Sequence, residues 1–405
     1  MLKLCNWRLL LVFIFEFIFS FVNGQQTGSA KANLNSIVSE IETKLQKDIA
    51  DDTLGGSISI SIVHKDQILW SKAFGYADKE NKTLADTSTI YRIASLTKSF
   101  TATVMMQLVE QGMIKLDDPI ELYLPEIKNL KGYREKNKIT FFQLATHTAG
   151  LEREPQLETA STSNINDWES KVLECIPATS IKTTPGKKYN YSNIGYAILG
   201  LALERVTKKP YIPLITENIF TPLQMKQSFF IVSPNEMDEL AKGLVVNSSG
   251  KLQEEASAFA HGYGIPAGGI YSTSGDLSKF LMANMGFYSL CKADSRAVMQ
   301  TGVKPPLTFF QRVGLGALSV FLGRKNKEIL RVALHSRYGM GLSVYKYKGT
   351  TIIEHAGLVN GYSSQFSFDK NSQYAVVLLR NYPKGKTNLQ LFSIELLSKL
   401  KKLDK

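Results

Sequence analysis

The sequence predicts an α/β (α+β) protein in which one antiparallel sheet, assembled from strands at both ends of the chain, is covered by helices and interrupted by a largely helical insert at about residues 99–334. Three observations predict it. Strand-like alternation gathers near the N-terminus and again near the C-terminus, helical spacing fills the middle, and an amphipathic helix lies outside each strand group.

Lys3 and Arg8 precede an apolar run from Leu9 to Val22, and Val22 and Gly24 place small residues at a cleavage site. The run has about 14 residues, short of the roughly 20 a spanning helix needs, and Glu16 interrupts it. Residues 1–24 therefore read as a secretory signal peptide and 25–405 as one secreted or periplasmic domain. Cys5 lies before the run, so no lipid attachment is expected. Residues 35–48 space their apolar side chains as a helix does, and SISISIV (57–63) followed by QILWSKAFGYA predicts a hairpin. FTATVMMQLVEQGM, FFQLATHTAGL, IGYAILGLALERVT and DLSKFLMANMG carry helical spacing or polar starts. Strands return in GLSVYKY, a Lys348-Gly349 turn, TTIIEHA, YSSQFSFD, a turn at 370–372, and YAVVLLRN; a helix over about 387–402 ends the chain.

With 405 residues, 44% hydrophobic and 21% charged, the chain is long enough to bury a core without staples. A net charge of +12 would favour weak attraction to an anionic envelope or membrane surface. Its lysines are scattered without a basic-aromatic array, which argues against nucleic acid. Cys175 and Cys291 either pair in an oxidising compartment or remain two buried thiols. Asn81, Asn190 and Asn247 head sequon-like triplets that matter only in a eukaryotic secretory pathway.

Ser-x-x-Lys occurs six times, at Ser95, Ser248, Ser289, Ser343, Ser367 and Ser398. The two residues share a face on a helix but not on a strand. Ser343 and Ser367 lie in strand-like stretches, Ser398 on an exposed terminal helix, and Ser248 and Ser289 in loops. Ser95 alone opens a long apolar helix, where the macrodipole favours developing negative charge and backbone N–H groups are available. A neutral Lys98 there could take the serine proton. In isolation, a capping serine and a solvated lysine are the simpler reading.

Two further elements weaken that simpler reading. Tyr191-Ser192-Asn193 is the sole Tyr-x-Asn among 17 tyrosines and lies between a Pro185-Gly186 turn and an apolar helix. Its phenol can move a proton, and the Asn193 amide can orient a substrate carbonyl and the lysine. His355-Ala356-Gly357 is the sole His-x-Gly; a cationic or hydrogen-bonding side chain followed by glycine lets a ligand lie against a strand edge.

Ser-x-x-Lys, Tyr-x-Asn and His-x-Gly, in that order and on a helix start, a loop and a strand, resemble the motifs of the serine β-lactamase and D,D-peptidase superfamily. The likeness is nearest the branch of class C β-lactamases, D-alanyl-D-alanine carboxypeptidases, D-aminopeptidases and related esterases, and it runs from about residue 36 to 382. FQLATHTAGL, PAGGIYSTSGDLSKF and YGMGLSV also resemble that branch, with His147 read as structural and Asp276 as part of a helix start.

The resemblance implies a β-lactamase/transpeptidase-like fold and a secreted serine hydrolase acting on a D-alanyl peptide, a β-lactam or a small ester. It makes Ser95 the acylated nucleophile, gives Lys98 and Tyr191 the proton transfers, and assigns substrate binding to Asn193, His355 and Gly357. The oxyanion hole would be the backbone N–H groups of Ser95 and Leu358. No metal or cofactor is implied, and the five histidines show no zinc-ligand spacing. A non-catalytic ligand sensor or scaffold is the alternative. Residues 303–334 depart from the pattern as an apolar, basic insertion that reads as a lid, a membrane-surface contact or an added packed helix, with packing the default expectation. Histidine in the third motif adds an expectation: at an unperturbed pKa of about 6.5 it would anchor carboxylates better as pH falls.

Overall fold

The computed structural model describes residues 32–52, 54–232, 236–246, 252–254, 262–303 and 336–404. The signal-peptide expectation and all of the 303–334 insertion except Val303 fall outside them. A helix over 32–50 leads into β1 (Ser57–His64), β2 (Gln67–Asp78), β3 (Thr83–Leu84) and β4 (Tyr91–Arg92). Within the insert lie β5 (Leu244–Val246), β6 (Leu252–Glu254) and β7 (Tyr271–Ser272). β8 (Arg337–Tyr338), β9 (Ser343–Tyr347), β10 (Thr350–Val359), β11 (Tyr362–Asp369) and β12 (Tyr374–Arg380) follow.

The predicted architecture is present. One antiparallel sheet has the order β3-β2-β1-β12-β11-β10-β9-β8, so the first and last strands of the chain are neighbours and Ser61 faces Val377 across the joint. The β9–β10 connection is the predicted two-residue turn: Tyr347 pairs with Thr350, and Lys348 and Gly349 have φ of 46° and 77°, the left-handed pair such hairpins require.

Alternation along β12 divides the core. Tyr374, Val376 and Leu378 pack with Ile41, Leu45, Ile394 and Leu397 of the terminal helices. Ala375, Val377 and Leu379 face the insert, whose long helices are Thr97–Glu110, Asn193–Thr207 and Ser274–Met285. A third layer thus closes over the sheet. Asn388 caps the last helix, Leu389–Leu400, by accepting from the Leu391 N–H.

Several elements differ from expectation. β3 and β8 add two-residue edge strands, too short to leave an alternation in the sequence. FFQLATHTAGL is helical only over Phe141–Ala145: a Thr140/Gln143 capping box starts the turn, and His147 and Gly150, with φ of 57° and 77°, lead the chain away. Asp276 sits in a helix start as expected, behind the Thr273 cap. Cys175 and Cys291 are separate buried thiols rather than a bridge.

Candidate active site

Ser95 occupies a 3₁₀ turn, Ala94–Leu96, that runs directly into the Thr97–Glu110 helix. Ala94 has φ of +48°, a conformation that costs an L-residue roughly 1–2 kcal/mol. Its surroundings hold it there. The preceding Ile93 donates its N–H to Ile270 O at 3.0 Å and accepts from Ser364 Oγ at 2.7 Å. The turn therefore presents Ser95 to a cleft of about 440 Å³ lined also by Arg92, Glu154, Asn193, Tyr263 and Leu358.

Lys98, one turn further, is fully buried. Its Nζ lies 3.2 Å from Ser95 Oγ, 2.8 Å from Asn193 Oδ1 and 2.7 Å from Ala267 O. The rings of Tyr191 and Tyr196 lie 4.9 and 5.6 Å from it. Burial pushes the lysine pKa well below its ordinary value; Glu154 opposes the shift and Arg153 adds to it. A neutral amine has two N–H bonds and one lone pair. With the two carbonyl oxygens taking the N–H groups, the lone pair is left for the Ser95 hydroxyl.

Tyr191 and Asn193 straddle Ser192, whose hydroxyl caps the Asn193–Thr207 helix by accepting from the Gly195 N–H. The cap fixes where the helix begins and so where both side chains point. Burial raises the Tyr191 pKa to about 12, and the Ser95 hydroxyl beside it opposes the shift. Asn193 also donates Nδ2–H to Glu154 Oε1 at 2.6 Å. His147 lies beneath this segment: its Nδ1 accepts from the Ser192 N–H at 3.1 Å, and its ring lies 4.2 Å from that of Tyr191, tilted by 38°. Thus the structure brings Ser95, Lys98, Tyr191 and Asn193 together.

The third motif is placed differently. His355 is buried, and its pKa is pushed down to about 3 by burial and then by Lys98. Its Nδ1 lies 2.8 Å from Ala356 O, an obligate acceptor, so Nδ1 carries the proton and Nε2 accepts from the Tyr338 hydroxyl at 2.8 Å. Both nitrogens are engaged inside the protein. The expected titrating carboxylate anchor is corrected to a neutral imidazole behind the cleft wall.

Gly357 needs its missing side chain for packing rather than for a ligand. A Cβ there would lie 2.2 Å from Ser364 Oγ and 2.4 Å from Ile93 O, the carbonyl just before Ala94. Leu358 does reach the cleft beside Ser95. β10 pairs with β9 only as far as Glu354, so no β9 residue pairs with Leu358 on that side.

Sequence reasoning missed Glu154, Tyr263, Arg92 and Tyr338. Glu154 and Tyr263 meet across the cleft, with the phenol donating to Oε2. None of the four stands at a spacing that marks chemistry. Ala267, whose carbonyl holds Lys98, and Tyr338 did carry a signal of another kind, since they lie in the PAGG and YGMGLSV stretches.

A buried lysine on a serine at a helix start, with Tyr-x-Asn opposite and a strand edge beside them, defines the β-lactamase class of site. The chain belongs to this family: the family model described as Beta-lactamase matches residues 47–391. Beta-lactamase-like protein 2 of Dictyostelium discoideum is 30% identical over 288 residues, covering 68% of this chain and 51% of that one. Protein flp of Staphylococcus aureus (strain MW2) is 34% identical over 197 residues, covering 48% of this chain and 39% of that one. The chain thus spans about half or less of these relatives' length.

Among solved structures, an octameric penicillin-binding protein homologue from Pyrococcus abyssi superposes with a TM-score of 0.69 at 26% identity, over 85% of this chain and 74% of that one. A D-amino acid amidase from Ochrobactrum anthropi SV3 gives a TM-score of 0.72 at 21% identity, over 91% and 98%. The amidase shares the fold.

Proposed function

We propose that this protein is a serine hydrolase that acts through a Ser95 acyl-enzyme on an amide or ester: a D-alanyl peptide, a β-lactam or a small ester. The observation that carries the reading is the amine of Lys98, buried, 3.2 Å from Ser95 Oγ, with its N–H groups taken by two carbonyls. Lys98 accepts the Ser95 proton as Oγ attacks the substrate carbonyl carbon. Tyr191, whose raised pKa of about 12 keeps it protonated at rest, relays a proton to the leaving group as the carbonyl re-forms. Water then attacks the acyl carbon with the roles reversed, and Ser95 recovers its proton. Backbone N–H groups of Ser95 and Leu358 are the proposed oxyanion donors.

Export belongs to the same reading, supported by Lys3, Arg8 and the apolar run before Val22. N-terminal sequencing should find a mature start near Gln25; a retained Leu9–Val22 segment means an anchored protein instead. Intact-mass measurement after incubation with a fluorophosphonate and with a penicillin tests the chemistry. A stable phosphonyl adduct on Ser95 and a penicilloyl adduct that forms and then clears are expected. A persistent penicilloyl adduct identifies a sensor, and no adduct with either reagent overturns the reading.

A further inference from the structure

We propose that Glu154, outside the three motifs, is a positioning residue that fixes which end of the Asn193 amide faces Lys98 and so aims the lysine lone pair at Ser95. The proposal rests on the Ser95 acyl-enzyme reading above. Glu154 stands on the cleft wall with its side chain 46% exposed. Oε1 accepts from Asn193 Nδ2 at 2.6 Å, and Oε2 accepts from the hydroxyl of buried Tyr263.

An ionised carboxylate can only accept hydrogen bonds, so the end of Asn193 that meets it must be the NH₂. The other end, Oδ1, is thereby turned to Lys98 at 2.8 Å. Ala267 O takes one lysine N–H, Oδ1 takes the other, and the lone pair is left for Ser95. If Asn193 flipped, its NH₂ would claim that lone pair and Ser95 would lose its base. The main chain reinforces the arrangement: the Asn193 N–H donates to Arg153 O at 2.9 Å, tying the helix start to the segment that carries Glu154.

The charges around Lys98 give the second half of the test. Tyr191 and Tyr196 face it with their rings, and burial keeps both phenols protonated. Burial holds His147 and His355 neutral, and protonating Lys98 would disfavour charge on either ring further. Arg153 disfavours its protonation, and Glu154 favours it. Removing the Glu154 charge therefore makes Lys98 harder to protonate.

The experiment follows the rate of Ser95 labelling by a fluorophosphonate against pH in wild type, Glu154→Gln, Glu154→Asp and Tyr263→Phe. Glutamine keeps the shape of glutamate but can offer its own N–H to a flipped Asn193, so both orientations become allowed. In Glu154→Gln the plateau rate should fall roughly tenfold or more, as a misaligned base implies, and the acid limb should move to lower pH. Glu154→Asp keeps an acceptor-only anion and should hold the limb at the wild-type pH while losing part of the plateau. Tyr263→Phe, which leaves the charge in place, should also leave the limb unmoved.

A Glu154→Gln profile that overlays wild type overturns the proposal. So does an unchanged profile accompanied by a raised KM for an amino-acid p-nitrophenyl ester, because Glu154 would then be a substrate contact. Wild-type protein that takes no label overturns the acyl-enzyme reading and this proposal together.

Discussion

Neighbouring residues of β10, Glu354 and His355, point to opposite faces of the sheet, and both are buried ionisable groups. Glu354 faces the terminal helices, where amide N–H groups of Gln365 (2.9 Å) and Gln390 donate to its carboxylate. Burial still outweighs these neutral donors and pushes its pKa up to about 7. His355 faces the insert, and there burial and Lys98 push its pKa down to about 3. The same desolvation thus moves an acid and a base in opposite directions. The two faces also differ in use: the back face closes a polar network against the terminal helices, whereas the front face surrounds Lys98 with groups that resist charge. Changes at Ser95, Lys98 and Tyr191 on the front face should alter rate with little effect on folding, and changes at Glu354 on the back face the reverse.

Ser95→Ala should break the front face most completely, abolishing both adducts while leaving the thermal midpoint near that of wild type. A folded variant that still turns over substrate would remove Ser95 from the chemistry. Lys98→Ala and Tyr191→Phe should each lower the acylation rate by roughly 10²-fold or more, as expected for positioned proton-transfer groups. Both act on the Ser95 proton, so the double variant should lose less than the product of the two. Stopped-flow labelling reads all three, and wild-type rates in either single variant refute its assignment.

How much of this contrast the sequence displays depends on whether a feature is local. Ser95, Lys98, Tyr191 and Asn193 were legible because helix spacing and a cap bring each pair to one face. The hairpins were legible from period-two patterning. That pattern misleads about burial, however: Ser57, Ser59 and Ser61 look like a solvated face of β1 but are fully buried, the last two on Ser274 Oγ at 2.9 Å. Burial of both sheet faces is a tertiary fact. So is the environment of His355, set by Tyr338 and Lys98 from elsewhere in the chain, and that is why an unperturbed pKa was the wrong reference for it. Glu154 depends on a loop meeting a helix start 39 residues away.

The back face is tested by Glu354→Gln. Its carboxyl has a folded pKa of about 7 against an ordinary value of 4.5, so between these values the folded state keeps a proton that the unfolded chain releases. The resulting stabilisation is fully present below pH 4.5 and lost as pH rises through 7, on the order of 3 kcal/mol over the window. Glutamine has no such dependence. Denaturant unfolding of wild type and variant should therefore diverge with rising pH in favour of the variant, while fluorophosphonate labelling stays within about twofold, as for an uncoupled site. A constant stability difference across the window means that Glu354 does not titrate as its burial implies.

The smallest expected effect is a null one, and it tests His355 directly. A ring titrating near 6.5 would be about 90% protonated at pH 5.5 and about 3% at pH 8, so carboxylate-bearing penicillins would gain roughly thirtyfold over neutral esters across that range. With its pKa held near 3, Nδ1–H on Ala356 O and Nε2 on Tyr338, the ring stays neutral throughout. The ratio of kcat/KM for a penicillin to that for a neutral ester should then be flat. Taking a ratio within one enzyme largely cancels the titrations of Lys98 and Tyr191, which both substrates need. The neutral ring should appear in stability instead. A folded pKa below the unfolded one makes the unfolded state bind the extra proton, so the His355 contribution is present above pH 6.5 and is lost as pH falls toward 3, at up to about 1.4 kcal/mol per pH unit. A flat substrate ratio together with an acid-side loss of stability that is reduced in His355→Gln fits a buried neutral imidazole. A ratio that climbs toward low pH would put a charged His355 in contact with substrate and require the front face to admit a cation beside the Lys98 amine.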